Sequence, residues 1–147
     1  MGLLKNILAP VDGSTYMERN VRYTCDIAKR MGCDVTMLYV VTIPIGIMSD
    51  NGYVPTAFFD VEQFRRIGSE VLEKAKKIAQ ETGIDAKTRL EEGPGNAAQK
   101  IIEVAESGGF DLIAIGSRGH SLLRNVLVGS VCDTVFRHSK CPVLAIR

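Results

Sequence analysis

The sequence has no excess of one charge, no long apolar run and no linker or repeat. Lys plus Arg number 18 and Asp plus Glu 17, for a formal net charge of +1. Nucleic-acid modules usually carry a clear basic excess, so the balance argues against that class. The longest apolar stretch, from Met37 to Met48, is broken by Thr42, Pro44 and Gly46. No segment is therefore expected to span a bilayer. The opening, Met1 to Asn6, lacks a secretory layout, because Lys5 and Asn6 interrupt its apolar residues. Asn6 also stands where a myristoylation signal needs Ser or Thr. The expected location is cytoplasmic. Cys25, Cys33, Cys132 and Cys141 form no C-x-x-C pair. A domain of this size needs no staple, so reduced, packed thiols are expected. Cys132, His138 and Cys141 offer three zinc ligands at most, and a structural site needs four. Two catalytic signatures are missing as well. There is no G-x-x-x-x-G-K-[S/T] loop with its phosphate-binding Lys. There is no G-x-S-x-G elbow either, since position 115 is Ile and Ser117 does not fit a hydrolase nucleophile.

What remains is an ordinary globular composition, 46% hydrophobic and 24% charged over 147 residues. One domain covering 1–147 is expected, able to bury roughly 68–70% of its unfolded surface. Strand and helix signals alternate along it. Asn6 to Val11 reads as a buried strand, ended by Asp12-Gly13-Ser14. Thr15 and Glu18 form a capping-box pair before a helix whose face is Met17, Val21, Thr24, Ala28 and Met31, stopped by Gly32. Val35 to Val41 is a second strand. An irregular stretch from Thr42 to Phe59 follows, long enough to suggest a functional or partner-facing loop. Asp60 caps a second helix with a stripe of Phe64, Ile67, Val71, Ala75 and Ile78, ended by Gly83. A third strand lies near Ala86 to Glu91. Gly93-Pro94-Gly95 leads into a helix with Ala98, Ile101, Ile102 and Ala105 inward. Leu112 to Ile115 is a fourth strand, Val128 to Arg137 a last helix, and Val143 to Ile146 a fifth strand after Pro142.

Near-continuous apolar strands between amphipathic helices imply an α/β fold, a parallel sheet covered on both faces. Right-handed crossovers make it doubly wound, with expected order 3-2-1-4-5. Ligands of such sheets bind beyond the carboxyl ends of the strands, where the winding direction reverses. That switch point falls between strands one and four. It sets Asp12-Gly13-Ser14 beside Gly116-Ser117-Arg118-Gly119.

The second of these segments opens the spacing Gly116-x2-Gly119-x9-Gly129-Ser130. Glycines in a turn let successive N–H groups converge on an anion, and a helix start adds unpaired N–H groups and partial positive charge. Gly129 permits close approach, the Ser130 hydroxyl can donate to a phosphate oxygen, and Arg118 and His120 are possible charge partners. Each residue also has a plainer reading. Asp12 caps a turn, Ser130 merely starts a helix, Val40 is core, and Arg118 and His120 are solvent-facing loop residues.

The opening Ile7-Leu8-Ala9-Pro10-Val11-Asp12-Gly13-Ser14, the strand end Leu38-Tyr39-Val40-Val41, the glycine motif and the closing Cys141-Pro142-Val143-Leu144 resemble the universal stress protein family. The resemblance runs over essentially the whole chain. Members with the complete glycine pattern form the family's ATP-binding branch. The resemblance implies an adenine-nucleotide site, a homodimer and a stress-linked regulatory role. By position, Pro10, Val11 and Asp12 would line the adenine and ribose, and Val40 would hold the adenine edge through its backbone. Gly116, Ser117, Arg118, Gly119 and His120 would wrap the phosphates, with Gly129, Ser130 and Val131 closing over them. Mg²⁺ or Mn²⁺ bridging the phosphates to Asp12 is a further expectation, since Mg²⁺ commonly binds through one or two carboxylates plus phosphates. A slow nucleotide hydrolase and a protein-only scaffold are the alternatives. The two histidines have no obvious acid partner for the first. Finally, Val143, Leu144, Ala145 and Ile146 are consecutive apolar residues on an edge strand that lacks internal charge or Pro, which points to strand pairing with a second copy.

Overall fold

The core begins with a strand buried on both faces. In β1 (Asn6–Pro10), Ile7 and Leu8 are fully buried and Ala9 nearly so. Side chains alternate across a strand, so β1 serves two cores. Ile7 and Ala9 join one cluster and Leu8 the other. Burying such side chains contributes about 1.5–3 kcal/mol each. The computed structural model describes residues 2–43, 60–119 and 128–147, together with the backbone of 47–49 and 52–54.

After β1 come α1 (Met17–Met31), β2 (Asp34–Ile43), the short strands β3 (Ile47–Ser49) and β4 (Gly52–Val54), and α2 (Val61–Glu81). The chain continues through β5 (Lys87–Pro94), α3 (Ala97–Ser107), β6 (Leu112–Gly116), α4 (Ser130–His138) and β7 (Val143–Ile146). The main sheet has five strands in the order β5-β2-β1-β6-β7, all parallel. Counted without the small hairpin, this is the expected 3-2-1-4-5. Helices α1 and α2 pack with Ile7, Val35, Met37 and Ala114 on one face. Helices α3 and α4 pack with Leu8, Leu38, Ile113 and Ile115 on the other. All four cysteines are free thiols.

Several local expectations need correction. The Thr15–Glu18 capping box does not form, because α1 starts later, at Met17 with Tyr16 as an N-cap that makes no side-chain bond. The turn before it is closed instead by the Ser14 N–H donating to Asp12 Oδ1 (2.9 Å) and the Met17 N–H donating to the Ser14 carbonyl (3.1 Å). Met31 is half exposed and Cys25 takes a buried place on that helix. On α2 the buried stripe is Gly68, Leu72, Ala75, Ile78 and Ala79, while Phe64 and Ile67 face outward. The cause is Gly68. A Cβ there would lie 2.6 Å from Tyr39 Cδ1 and 2.8 Å from Leu90 Cδ1, so the helix rests on the sheet through its backbone. Asp60 does cap α2, accepting from the Gln63 N–H. The stretch read as irregular contains an antiparallel pair, β3 with β4, and the rest of it beyond Ile43 lies outside the described residues.

Candidate functional site

Strand β1 lies between β2 and β6, and the chain runs from β1 to α1 on one face of the sheet and from β6 to α4 on the other. The loops following β1 and β6 therefore part at their carboxyl ends and open a crevice. A cavity of about 420 Å³ sits there. Pro10, Val11, Asp12, Val40, Gly116, Ser117, Arg118, Gly119, Gly129, Ser130 and Val131 all line it. His120 lies outside the described residues.

The three motif glycines are there for space rather than for backbone freedom. None of Gly116, Gly119 and Gly129 has a positive φ, so the close approach expected of Gly129 extends to all three. A Cβ on Gly119 would lie 2.5 Å from Asp12 Oδ2. On Gly116 it would lie 2.0 Å from Asn20 Nδ2, and on Gly129 3.3 Å from the Ser117 carbonyl oxygen. The glycine that does need its left-handed backbone is Gly13, at φ 75°, next to Asp12. It turns the chain from β1 toward α1 and leaves Asp12 held by the Ser14 N–H.

Beyond β6 the Ser117 N–H donates to the Ile146 carbonyl of β7 (2.7 Å), and the Gly129 N–H donates to the Ser117 carbonyl (2.5 Å). The loop is thereby pinned to the start of α4. Gly129 is extended and offers α4 no side-chain cap. Helix α3, on the same face, has its N-terminus closed by Asn96 Oδ1, which accepts from the Ala98 N–H at 2.8 Å. A helix start keeps unpaired N–H groups when no side chain takes them. Beside this one sits the Ser117 hydroxyl, 1% exposed and without a hydrogen-bond partner among the described residues. A buried unpaired polar group costs about 1–3 kcal/mol, and an anion accepting from it would remove that cost.

The opposite side of the cavity offers backbone. The last rung between β1 and β2 is the Val11 N–H donating to the Leu38 carbonyl (2.8 Å). Strand alternation turns the N–H and C=O of Val40 to that same edge, past the end of β1. Leu38, Ala97, Ile101, Ile115 and Cys132 add apolar surface there. Burial pushes the Cys132 thiol up from its ordinary range, with the Asp133 charge adding to it, so this sulfur is a packing group rather than a nucleophile. Burial, and secondly the charge of Asp12, likewise raises the Tyr39 phenol.

Sequence reasoning missed Met17, Asn20, Leu38, Tyr39, Thr42, Ala97, Ile101, Ile115 and Cys132 as cavity walls. Met17 and Ile101 were read only as core. One signal pointed to them: a switch-point cleft must also be walled by the first turns of the helices that follow its strands.

Fold and cleft together define a doubly wound α/β protein with its site at the switch point. The sequence model of the universal stress protein family matches residues 4–147, and the chain belongs to that family. It is 33% identical over 147 residues to the universal stress protein MJ0531 of Methanocaldococcus jannaschii, covering 99% of this chain and 83% of that one. Among solved structures it is similar to the universal stress protein UspA from Lactobacillus plantarum, with TM-score 0.79, 25% identity and full coverage of both chains. It also shares its fold, at TM-score 0.71 and 20% identity over 99% of this chain and 100% of that one, with the universal stress protein from Archaeoglobus fulgidus in complex with dAMP.

Proposed function

We propose that this chain is an ATP-binding regulatory member of the stress protein family, acting in the cytoplasm, with the nucleotide held at the switch point. The observation that carries the reading is the uncapped start of α4 at the cavity lined by the glycine motif, beside Ser117, whose buried hydroxyl has no partner among the described residues. A phosphate satisfies both the hydroxyl and the free N–H groups. Pro10, Val11 and Asp12 face the ribose and base, and the Val40 backbone takes the base edge. Gly116, Arg118, Gly119, Ser130 and Val131 surround the phosphates, and His120 is assigned there from the resemblance. The family relative solved with dAMP supports an adenine nucleotide in this fold. Asp12, which accepts from the Ser14 N–H, would contribute a carboxylate to a Mg²⁺ or Mn²⁺ ion accompanying the nucleotide, and a hard oxygen donor fits that role.

Hydrolysis by this protein is slow or absent. Phosphoryl transfer relies on charge neutralisation by Lys, Arg and metal, and Arg118 is the cation among the described cavity residues. Calorimetry with ATP tests the binding reading. Saturable heat on the parent, lost in Gly119→Val, is expected; no heat and no competition with a labelled ATP analogue contradicts it.

The same reading includes a homodimer. The two edges of the sheet differ. Strand β5 presents Lys87, Arg89 and Glu91, with Arg89 paired to Glu91 at 2.7 Å. Strand β7 is apolar throughout, with Val143 and Leu144 half-buried, Ala145 exposed and Ile146 buried, and α4, which packs on it, exposes 62% of Phe136. Edges in monomers are usually blunted by charge, as β5 is. Pairing β7 with β7 of a second copy about a two-fold axis covers the apolar edge.

A further inference from the structure

Asn20 is a polar cavity wall to which the nucleotide reading gives no task. It stands in the second turn of α1, where its N–H donates to the Tyr16 carbonyl (3.0 Å) and its own carbonyl accepts from Thr24 Oγ1 (2.8 Å). Its backbone is thus committed to the helix. Its half-buried carboxamide makes no hydrogen bond among the described residues. The amide lies against the backbone of Gly116, with Nδ2 only 2.0 Å from the point a Cβ would occupy and the Arg118 carbonyl oxygen 3.3 Å from that same point. Gly116 is glycine because this amide fills the space beside it.

The loop 116–119 is thereby approached from both faces of the sheet. From the α3/α4 side come the open start of α4, the Ser117 hydroxyl and Ser130. From the α1 side comes Asn20. We propose that Asn20 is a phosphate-contact residue, its carboxamide N–H donating to a phosphate oxygen of the bound nucleotide from the side opposite α4. The assignment rests on the nucleotide reading above. A neutral amide suits this position. Asp12 comes within 2.5 Å of the Cβ point of Gly119 three residues along, so a Lys here would be drawn to that carboxylate and a second carboxylate would repel the phosphate.

Two substitutions of nearly equal size separate the roles. Asn20→Leu removes the donor, and Asn20→Asp replaces it with a negative charge that the first turns of a helix tolerate. Calorimetry with ATP and with adenosine, on the parent and both variants, reads the outcome, with thermal melting confirming that each is folded. Hydrogen bonds to charged groups set the scale. ATP affinity is expected to fall about tenfold in Asn20→Leu. Repulsion should take it to about a hundredfold in Asn20→Asp. Adenosine, which has no phosphate, should bind all three proteins equally. A parent that binds ATP and variants that match it overturn the assignment of Asn20 and leave the nucleotide reading standing. Equal losses for ATP and adenosine also overturn it, because the residue then shapes the cavity without touching phosphate. A parent that binds neither compound removes the nucleotide reading itself, and the assignment with it.

Discussion

The two ends of the parallel sheet are made by the same five strands and treat their polar groups in opposite ways. At the amino end the groups are matched. Asp111 Oδ2 accepts from the N–H groups of both Lys5 and Asn6 at 2.9 Å. The Asp34 N–H donates to the Lys5 carbonyl (2.8 Å), Cys33 Sγ to the Leu4 carbonyl (3.3 Å) and Cys141 Sγ to the Phe110 carbonyl (3.4 Å). At the carboxyl end, the hydroxyls of Ser14 and Ser117 are buried without partners among the described residues, α1 and α4 start without side-chain caps, and a cavity of about 420 Å³ opens. One end closes the fold. The other leaves the start of α4 uncapped beside the cavity. The difference separates stability from binding, so substitutions among the matched groups of the amino end should move stability, and those in the open loop beside the cavity should move binding.

The largest effect is expected at the carboxyl end. Gly119→Val places a branched side chain on the Asp12 carboxylate, and the displaced groups should lower ATP affinity by more than a hundredfold while the melting temperature changes little. Calorimetry and a thermal melt on the same sample check both halves. Next comes association. Leu144→Lys puts a charge in the apolar edge of β7 and should shift light scattering from a dimer toward the 16.0 kDa chain mass. An intact chain that scatters as a monomer at tens of micromolar removes the dimer.

At the amino end, Asp111→Ala should lower the melting temperature and leave ATP binding unchanged. The pH dependence follows from the same contacts. Hydrogen bonds from the Asn6 N–H first, then the Lys5 N–H, hold the Asp111 carboxyl below its ordinary value of 3.8. A carboxyl depressed in the folded state stabilises the fold above its unfolded value, and that contribution is lost as pH falls below 3.8 through the folded value. Acid titration of stability should therefore flatten in Asp111→Ala below that point. The smallest effect is expected between two helix starts on one face. Asn96→Ala, which uncaps α3, should cost about 1 kcal/mol of stability with no change in ATP affinity. A measurable loss of ATP binding there would blur the distinction between the capped and the open helix.

Much of this division was legible in the sequence, because it follows from features that act locally. Apolar runs such as Ile7-Leu8-Ala9 and Leu112-Ile113-Ala114-Ile115 mark buried strands wherever they fall, and βαβ handedness then narrows the strand orders to a few. The glycine spacing marked the loop after β6. Its reason was not legible. Gly116 answers to Asn20 and Gly119 to Asp12, residues about a hundred positions away in the chain and brought close only by the fold. Local pattern also misplaced the stripe of α2. Phe64 and Ile67 look like core at helical spacing, but the close approach of Gly68 to Tyr39 and Leu90 rotates them outward. The start of α1 was misread for a similar reason, since the Asp12 and Ser14 turn outcompetes a capping box that the sequence offers one residue too early.

The central claim is that ligand binding is confined to the carboxyl end of the sheet. Titrating the isotope-labelled chain with ATP and following its backbone amide resonances tests it directly. The account predicts large shifts for Gly116, Ser117, Gly119, Gly129 and Ser130, smaller ones for Val40, and none for Lys5, Asn6, Asp34 and Asp111. Saturable ATP binding that moves the amino-end amides and leaves the glycine loop in place would contradict it.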